Sequence, residues 1–220
     1  MKGRSYDDGC AMAHALDLIG ERWALLIARE LMFGPKRFTD LREELRSISP
    51  NVLTQRLEGL EASAILRRRK LPPPAASWIY ELTEWGRELE EPILSLGRWA
   101  ARSPFLRPDL PMTRAGLLLA LRAMYRPRKA GGFRILLDMP RGGAVVAGTH
   151  EGLDILQDVS VAGAHDASIT ASSDIVDGIV FGSRTLLDAV AAGDAQVDGD
   201  PGALQRFVKA FPLPETAAAD

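Results

Sequence analysis

Residues 48–61 read ISPNVLTQRLEGLE, and the way this stretch distributes its side chains decides the fold of the first half of the chain. Leu53, Leu57 and Leu60 fall at i, i+4 and i+7, so one stripe of a helix is apolar, while Asn51, Thr54, Gln55 and Glu58 point away from it. Ser49 suits an N-cap, where its hydroxyl accepts an early backbone N–H, and Pro50 suits the first helical position, where a missing N–H costs nothing. The pattern predicts a helix held to a core by leucines that offers a polar, uncommitted face. Periodicity alone leaves an ordinary amphipathic core helix open. The residue types on the face point further: Asn, Gln and Arg pair in bidentate fashion with adenine and guanine edges, which makes Asn51, Gln55 and Arg56 candidates for base contact. Arg56 equally suits a phosphate, and Ser49 and Thr54 suit the nucleic-acid backbone through their hydroxyls.

Upstream, Met12, Leu16 and Ile19 mark a short helix that stops at Gly20, and Trp23, Leu26, Ile27 and Leu31 mark a second that stops at Gly34-Pro35. Phe38, Leu41 and Leu45 give a third helix one core-facing stripe, and a short turn joins it to the polar-faced helix. Downstream, LRRRKLPPPAASWIYEL at 66–82 reads as two strands, 65–71 and 77–82, around a Pro-rich tip. Alternation in the second strand predicts Trp78, Tyr80 and Leu82 on its packed side. Arg67, Arg68, Arg69 and Lys70 form a cationic run on this hairpin, placed to meet phosphates or reach a minor groove. A solvated edge that discourages aggregation is the plainer reading of such a run; its position directly after a helix-turn-helix pattern favours nucleic acid. Thr83 then caps a long helix carrying Trp85, Leu89, Ile93, Leu96 and Ala100, which Pro92 bends.

The order helix, helix, helix-turn-helix, hairpin, helix is that of a winged helix-turn-helix, in which one helix enters a major groove and the hairpin adds a second contact. The run from Cys10 to about Ala101 resembles the HxlR family of winged-helix regulators, relatives of the MarR group. The resemblance lies in CAMAHALDLIGERWALLIARELMFGPKRFTDLREEL, ISPNVLTQRLEGLE and LPPPAASWIYELTEWGRELEEPILSLGRWA. It implies a homodimer formed by the first and last helices of the domain, bound to double-stranded DNA at a pseudo-palindromic operator, with the recognition helix on Ser49 to Ala62 and the wing on Ile65 to Leu82. Some family members sense oxidants or electrophiles through a cysteine near the N-terminus, and Cys10 lies at the matching place. Ala11 follows it where the family pattern often has proline, and Asp7 and Asp8 lie nearby instead of the basic neighbour that lowers a thiol pKa. Those departures favour a buried packing cysteine over a redox sensor.

The segment SPFLRPDLP at 103–111 holds three prolines in nine residues and reads as a linker, giving domains at 1–103 and 112–214, a linker at 104–111 and a flexible tail at 215–220. Charge is divided along the same line. Residues 1–107 carry 17 Lys and Arg against 15 Asp and Glu, and residues 108–220 carry 10 against 14, so a basic footprint belongs to the first half. After the linker come a helix in LLLALRAMY, an alternating strand in FRILLDM, a Gly142-Gly143 turn into AVVAG, a strand in ASITAS, helices ending at glycine in DIVDGIVFG and TLLDAVAAG, a strand in AQVDG, and a helix capped by Asp200 with Pro201 at its first position. The fold class is multidomain: a mainly α winged helix-turn-helix domain, then an α+β domain with a small, mostly antiparallel sheet.

Residues 133–212 resemble the sterol-carrier-protein-like domain. That resemblance implies an apolar tunnel and an apolar small-molecule effector. Ile175, Ile179, Val180, Phe181, Leu186 and Leu187 suit its lining and equally suit a filled core.

A single cysteine excludes an internal disulfide and fits a reducing cytosol. The N-terminus has no apolar secretory core, no run approaches the roughly 20 apolar residues of a membrane span, and the expectation is a cytoplasmic protein. His14, His150 and His165 lie far apart without partners at ligand spacing, and no Walker A loop, nucleophile elbow or H-E-x-x-H is present. No cofactor, metal or enzymatic activity is expected. The reading from another class is a lipid carrier or interaction module whose helix-turn-helix no longer touches DNA.

Overall fold

The computed structural model describes residues 5–107, 110–127, 131–157 and 163–218. Packing divides the chain into two compact units, Met1–Ile93 and Leu94–Asp220. Pro108 and Asp109 of the expected linker lie outside the described residues.

The first unit begins with α1 (Ala11–Ile19), α2 (Ala24–Met32) and α3 (Phe38–Glu44). Trp23, the residue before α2, holds a left-handed backbone at φ 81°, a conformation that strains a bulky residue. The turn after α3 leads to α4 (Pro50–Ala62), whose N-cap is the one read from sequence: the Ser49 hydroxyl accepts the Val52 N–H at 3.3 Å. Leu53, Leu57 and Leu60 are buried, as are Ile27, Leu41, Leu66 and Leu82, and α4 packs against the strand that Leu66 opens, Leu66–Lys70.

β1 (Leu66–Lys70) and β2 (Trp78–Leu82) pair antiparallel, with Arg67 opposite Glu81 and Lys70 opposite Trp78. Lys36 extends the hairpin at its base by exchanging backbone hydrogen bonds with Tyr80. The packed side of β2 departs from the expected alternation. Ile79 and Glu81 are buried and Trp78 is about half exposed, because Glu81 turns inward to take two arginines and Trp78 turns outward under a third.

The expected long helix after the wing is interrupted. A short α5 (Glu84–Arg87), capped by Thr83, is followed by a turn at Glu88 and Leu89 and then by α6 (Glu90–Ala100). Pro92 has no N–H to offer the Glu88 carbonyl four residues back, so the chain breaks there where a bend was expected. Gly86 is required by close approach, since a Cβ on it would collide with the Ile65 carbonyl.

The second unit contains α7 (Arg114–Met124), β3 (Phe133–Asp138), β4 (Ala144–Gly148), β5 (Leu153–Leu156), β6 (Ala167–Ala171), α8 (Ser173–Phe181), α9 (Leu186–Ala191), β7 (Ala195–Gly199) and α10 (Pro201–Val208). Its five-stranded sheet runs β5-β4-β3-β6-β7, antiparallel except for the central β3–β6 pair. Phe133, Ile135 and Leu137 are buried as their alternation predicts, and α10 packs against β3. β5 is an edge strand of four residues, too short for its own period to announce it. The tail expected to fray is partly tied: Ala217 N–H donates to the Arg102 carbonyl at 2.7 Å and Arg102 Nε donates to the Glu215 carbonyl at 3.3 Å. No helix among the described residues is long and apolar enough to cross a membrane.

Candidate nucleic-acid interface

The two faces of α4 have opposite fates. Its leucine face is sealed, and Asn51, Thr54 and Gln55 are exposed along its N-terminal half, with Ser49 exposed at the cap. Glu58 and Glu61 occupy the exposed C-terminal half. A polyanion therefore meets neutral hydrogen-bonding groups and the positive end of the helix dipole at the N-terminal half, and two carboxylates further along. The N-terminal half is the part suited to approach DNA.

Arg56 is committed elsewhere. Its Nε donates to the Arg22 carbonyl at 3.0 Å and a terminal nitrogen donates to Glu21 Oε2 at 2.7 Å, which ties α4 to the loop before α2. That loop contains the strained Trp23, over whose ring the Arg22 guanidinium lies at 5.3 Å. Arg56 holds this loop in place.

The pleat divides the wing's cationic run between two faces. Arg67 and Arg69 project together and share Glu81, at 2.7 Å to Oε1 and 3.1 Å to Oε2. Desolvation raises the Glu81 pKa, but the hydrogen bonds and charges of the two arginines outweigh it and leave the carboxyl below the usual glutamate range. The arginines themselves cover this carboxylate near the molecular surface. On the other face Arg68 stacks on Trp78 at 4.1 Å, and its backbone N–H donates to Glu61 Oε1 at 3.1 Å, which ties the wing to the end of α4. Lys70 is exposed at the end of β1.

The chain matches the sequence model of the HxlR-like helix-turn-helix family over residues 18–104. It is 40% identical over 89 residues to the HTH-type transcriptional regulator YodB of Bacillus subtilis, a match covering 40% of this chain and 80% of that protein. The chain belongs to the HxlR-like helix-turn-helix family. Its members named here are regulators of transcription, and the first unit is accordingly a DNA-binding winged helix-turn-helix. The HTH-type regulator YtfH of Escherichia coli is 31% identical over 98 residues, covering 44% of this chain and 78% of that protein. The solved reduced form of YodB aligns at 37% identity with a TM-score of 0.40, covering 46% of this chain and 98% of that one. The family match ends at residue 104 and assigns no fold to the rest of the second unit.

In this HxlR-like chain Cys10 is exposed, which corrects the expectation of a buried packing cysteine. It precedes α1, and its own N–H donates to Asp8 Oδ1 at 2.9 Å. The thiol closes no side-chain cap, yet the backbone N–H groups of Met12 and Ala13 favour the thiolate and hold the pKa below the ordinary cysteine value.

The apolar residues considered for a tunnel differ in burial. Ile179 and Val180 are buried, Ile175, Phe181 and Leu186 are half-buried, and Leu187 is 81% exposed. Val180 and Phe181 border an open groove of about 310 Å3 with Phe211 and Leu213.

Sequence reasoning missed Glu81 and Glu61, the carboxylates that position the wing. The signal for Glu81 was available: a hairpin centred on Pro74 sets residue 81 across from residue 67. Glu61 carries no such mark, because its role follows from the helix-to-strand turn geometry.

Proposed function

We propose that this regulator binds a pseudo-palindromic operator as a homodimer, with two α4 helices entering adjacent major grooves about 34 Å apart and the wings lying along the flanking backbone. The observation that carries this reading is the exposed polar half of α4, Ser49 to Gln55, set on a sealed leucine face beside a cationic hairpin. Asn51 and Gln55 read base edges, Ser49 and Thr54 hold the DNA backbone, and Arg56 supports the loop before α2. Arg68 and Lys70 meet phosphates, and Arg67 and Arg69 add their charge from the Glu81 side.

A second copy is the occupant proposed for the apolar side chains left on α1 and α6. Met12 and Leu16 lie one turn apart on α1, and Leu96 and Trp99 lie one turn apart on α6, all exposed. The groove beside Val180 and Phe181 in the second unit is open, so the proposal gives residues 112–214 no sterol-like effector.

Gel shifts on the chain's own upstream region test the reading. Asn51→Ala with Gln55→Ala is expected to cost roughly 1–3 kcal/mol per lost base contact on the preferred duplex and little on random DNA. Equal losses on both duplexes overturn the base-reading role.

A second reading adds thiol sensing, because Cys10 combines exposure with a lowered pKa. Treatment with a thiol oxidant should change operator affinity in the native chain and leave Cys10→Ser unaffected. An identical response in both overturns it.

A further inference from the structure

In the second unit a cavity of about 210 Å3 opens between the end of α7, the start of β3 and the last turn of α10. Its wall is aromatic. Phe133 is buried, and the Tyr125 ring stands edge-on to it at 6.3 Å, fixed by a 2.6 Å hydrogen bond from its hydroxyl to the Thr149 carbonyl. Its mouth is cationic, with Arg126, Arg206 and Lys209 converging on it, and no carboxylate is among the described residues that line it.

The attraction of a helix C-terminus for positive charge accounts for Arg206 and Lys209, which sit on the last turn and cap of α10. The same attraction applies to Arg126, which follows the C-cap of α7; its backbone N–H donates to the Ala210 carbonyl at 2.9 Å, so the ends of two helices bring three cations to one mouth. Arg206 is partly neutralised, with Asp200 at 3.4 Å and the Gly132 carbonyl accepting from its Nε at 2.9 Å. The Arg126 guanidinium donates to the Tyr125 carbonyl at 3.2 Å. In a half of the chain with 10 basic and 14 acidic residues, this is a local reversal of charge.

We propose that this cavity binds a small organic anion, a carboxylate on a flat apolar body. The carboxylate sits among Arg126, Arg206 and Lys209, and the body lies on Tyr125 and Phe133. Guanidinium groups suit a carboxylate because their planar forks donate two parallel hydrogen bonds. The volume lies below the roughly 300 Å3 at which drug-sized sites begin, which limits the body to about a single ring. Inorganic phosphate would satisfy the cations and leave the aromatic wall unused. This inference rests on the second unit alone and is independent of what the first unit reads on DNA.

Isothermal titration of the full chain with benzoate, benzamide and inorganic phosphate decides it. Benzoate is expected to bind saturably, with benzamide and phosphate each about tenfold weaker or more. Arg126→Gln and Lys209→Gln should each weaken benzoate by about three- to tenfold, the loss of one charge-assisted hydrogen bond at an exposed site. Both side chains are exposed, so the thermal transition of each variant should match the native one. Failure of benzoate to saturate, equal affinity for benzamide or phosphate, or variants that bind benzoate as well as the native chain would each overturn the proposal.

Discussion

The two units handle buried charge in opposite ways. The first buries two carboxylates, Glu30 and Glu81, whereas the buried side chains described in the second are apolar and include a ring cluster of Phe133, Phe207 and Phe211 with Tyr125 beside it. A buried carboxylate is costly unless paired, and each of these two holds a pair of cations. Glu30 meets Arg29 at 2.8 Å and Lys36 at 3.7 Å, and Glu81 meets Arg67 and Arg69. Lys36 is also the residue that extends the wing by pairing with Tyr80. Buried charge in the first unit thus fixes the basic hairpin and its base, while burial in the second unit serves cohesion.

The largest effect expected from this contrast lies in the ring cluster. Phe207 is fully buried and meets Phe133 at 5.5 Å and Phe211 at 5.3 Å, so Phe207→Ala should cost about 3–5 kcal/mol through lost transfer energy and a residual cavity. Three of the four tryptophans, Trp23, Trp78 and Trp85, lie in the first unit and Trp99 is largely exposed in the second, so fluorescence follows mainly the first unit while far-UV circular dichroism follows the whole chain. The expected result is a circular-dichroism transition moved to lower urea with the fluorescence midpoint nearly fixed. Equal movement of both signals would make the molecule one cooperative body and erase the contrast between the units.

The same contrast explains what could be read in advance. Helical period, caps and breakers are local properties, so α1 to α4, the hairpin and most of the second unit's elements were legible, down to Ser49 and Asp200 as N-caps. Pairings across distance were not. The alternation of Trp78, Tyr80 and Leu82 suggested one packed side, but the burial of Glu81 follows from arginines in the opposite strand. Arg56 suits guanine or a phosphate by its type, but its bonds to Glu21 and Arg22, more than thirty residues away, carried no mark in the sequence. The break at Glu88 was visible as Pro92 and misjudged only in degree. The exposed polar face of α4 was predicted in full because the leucine spacing alone determines it.

A middle-sized effect belongs to Glu81. Its folded pKa is lowered, so its stabilising contribution is fully present above the ordinary glutamate value of about 4.3 and is lost as pH falls through the folded value. Glu81→Gln keeps the shape and removes the charge. At neutral pH it should cost about 1 kcal/mol, since both arginines are substantially exposed and solvent screens the pairs. The difference between native and variant urea midpoints, followed by tryptophan fluorescence, should shrink as pH drops below 4. A difference that stays constant across that range would show that packing, and no charge pairing, gives Glu81 its place.

The smallest effect on stability, and the one that sharpens the functional side of the contrast, is expected at Arg68. Among the run of four cations Arg68 stacks on Trp78, whereas Arg67 and Arg69 pair with Glu81. Arg68→Ala removes an exposed cation–π contact, so the urea midpoint should move by no more than about 0.5–1 kcal/mol. Removing one phosphate contact should weaken binding on every duplex alike and lower the salt slope by about 1. Arg67→Ala differs in kind, because it also leaves Glu81 with one partner and so lowers stability together with affinity. If Arg68→Ala leaves the salt slope unchanged while Arg67→Ala lowers it, the DNA-facing side of the wing is the Glu81 side, and the assignment of its two faces must be exchanged.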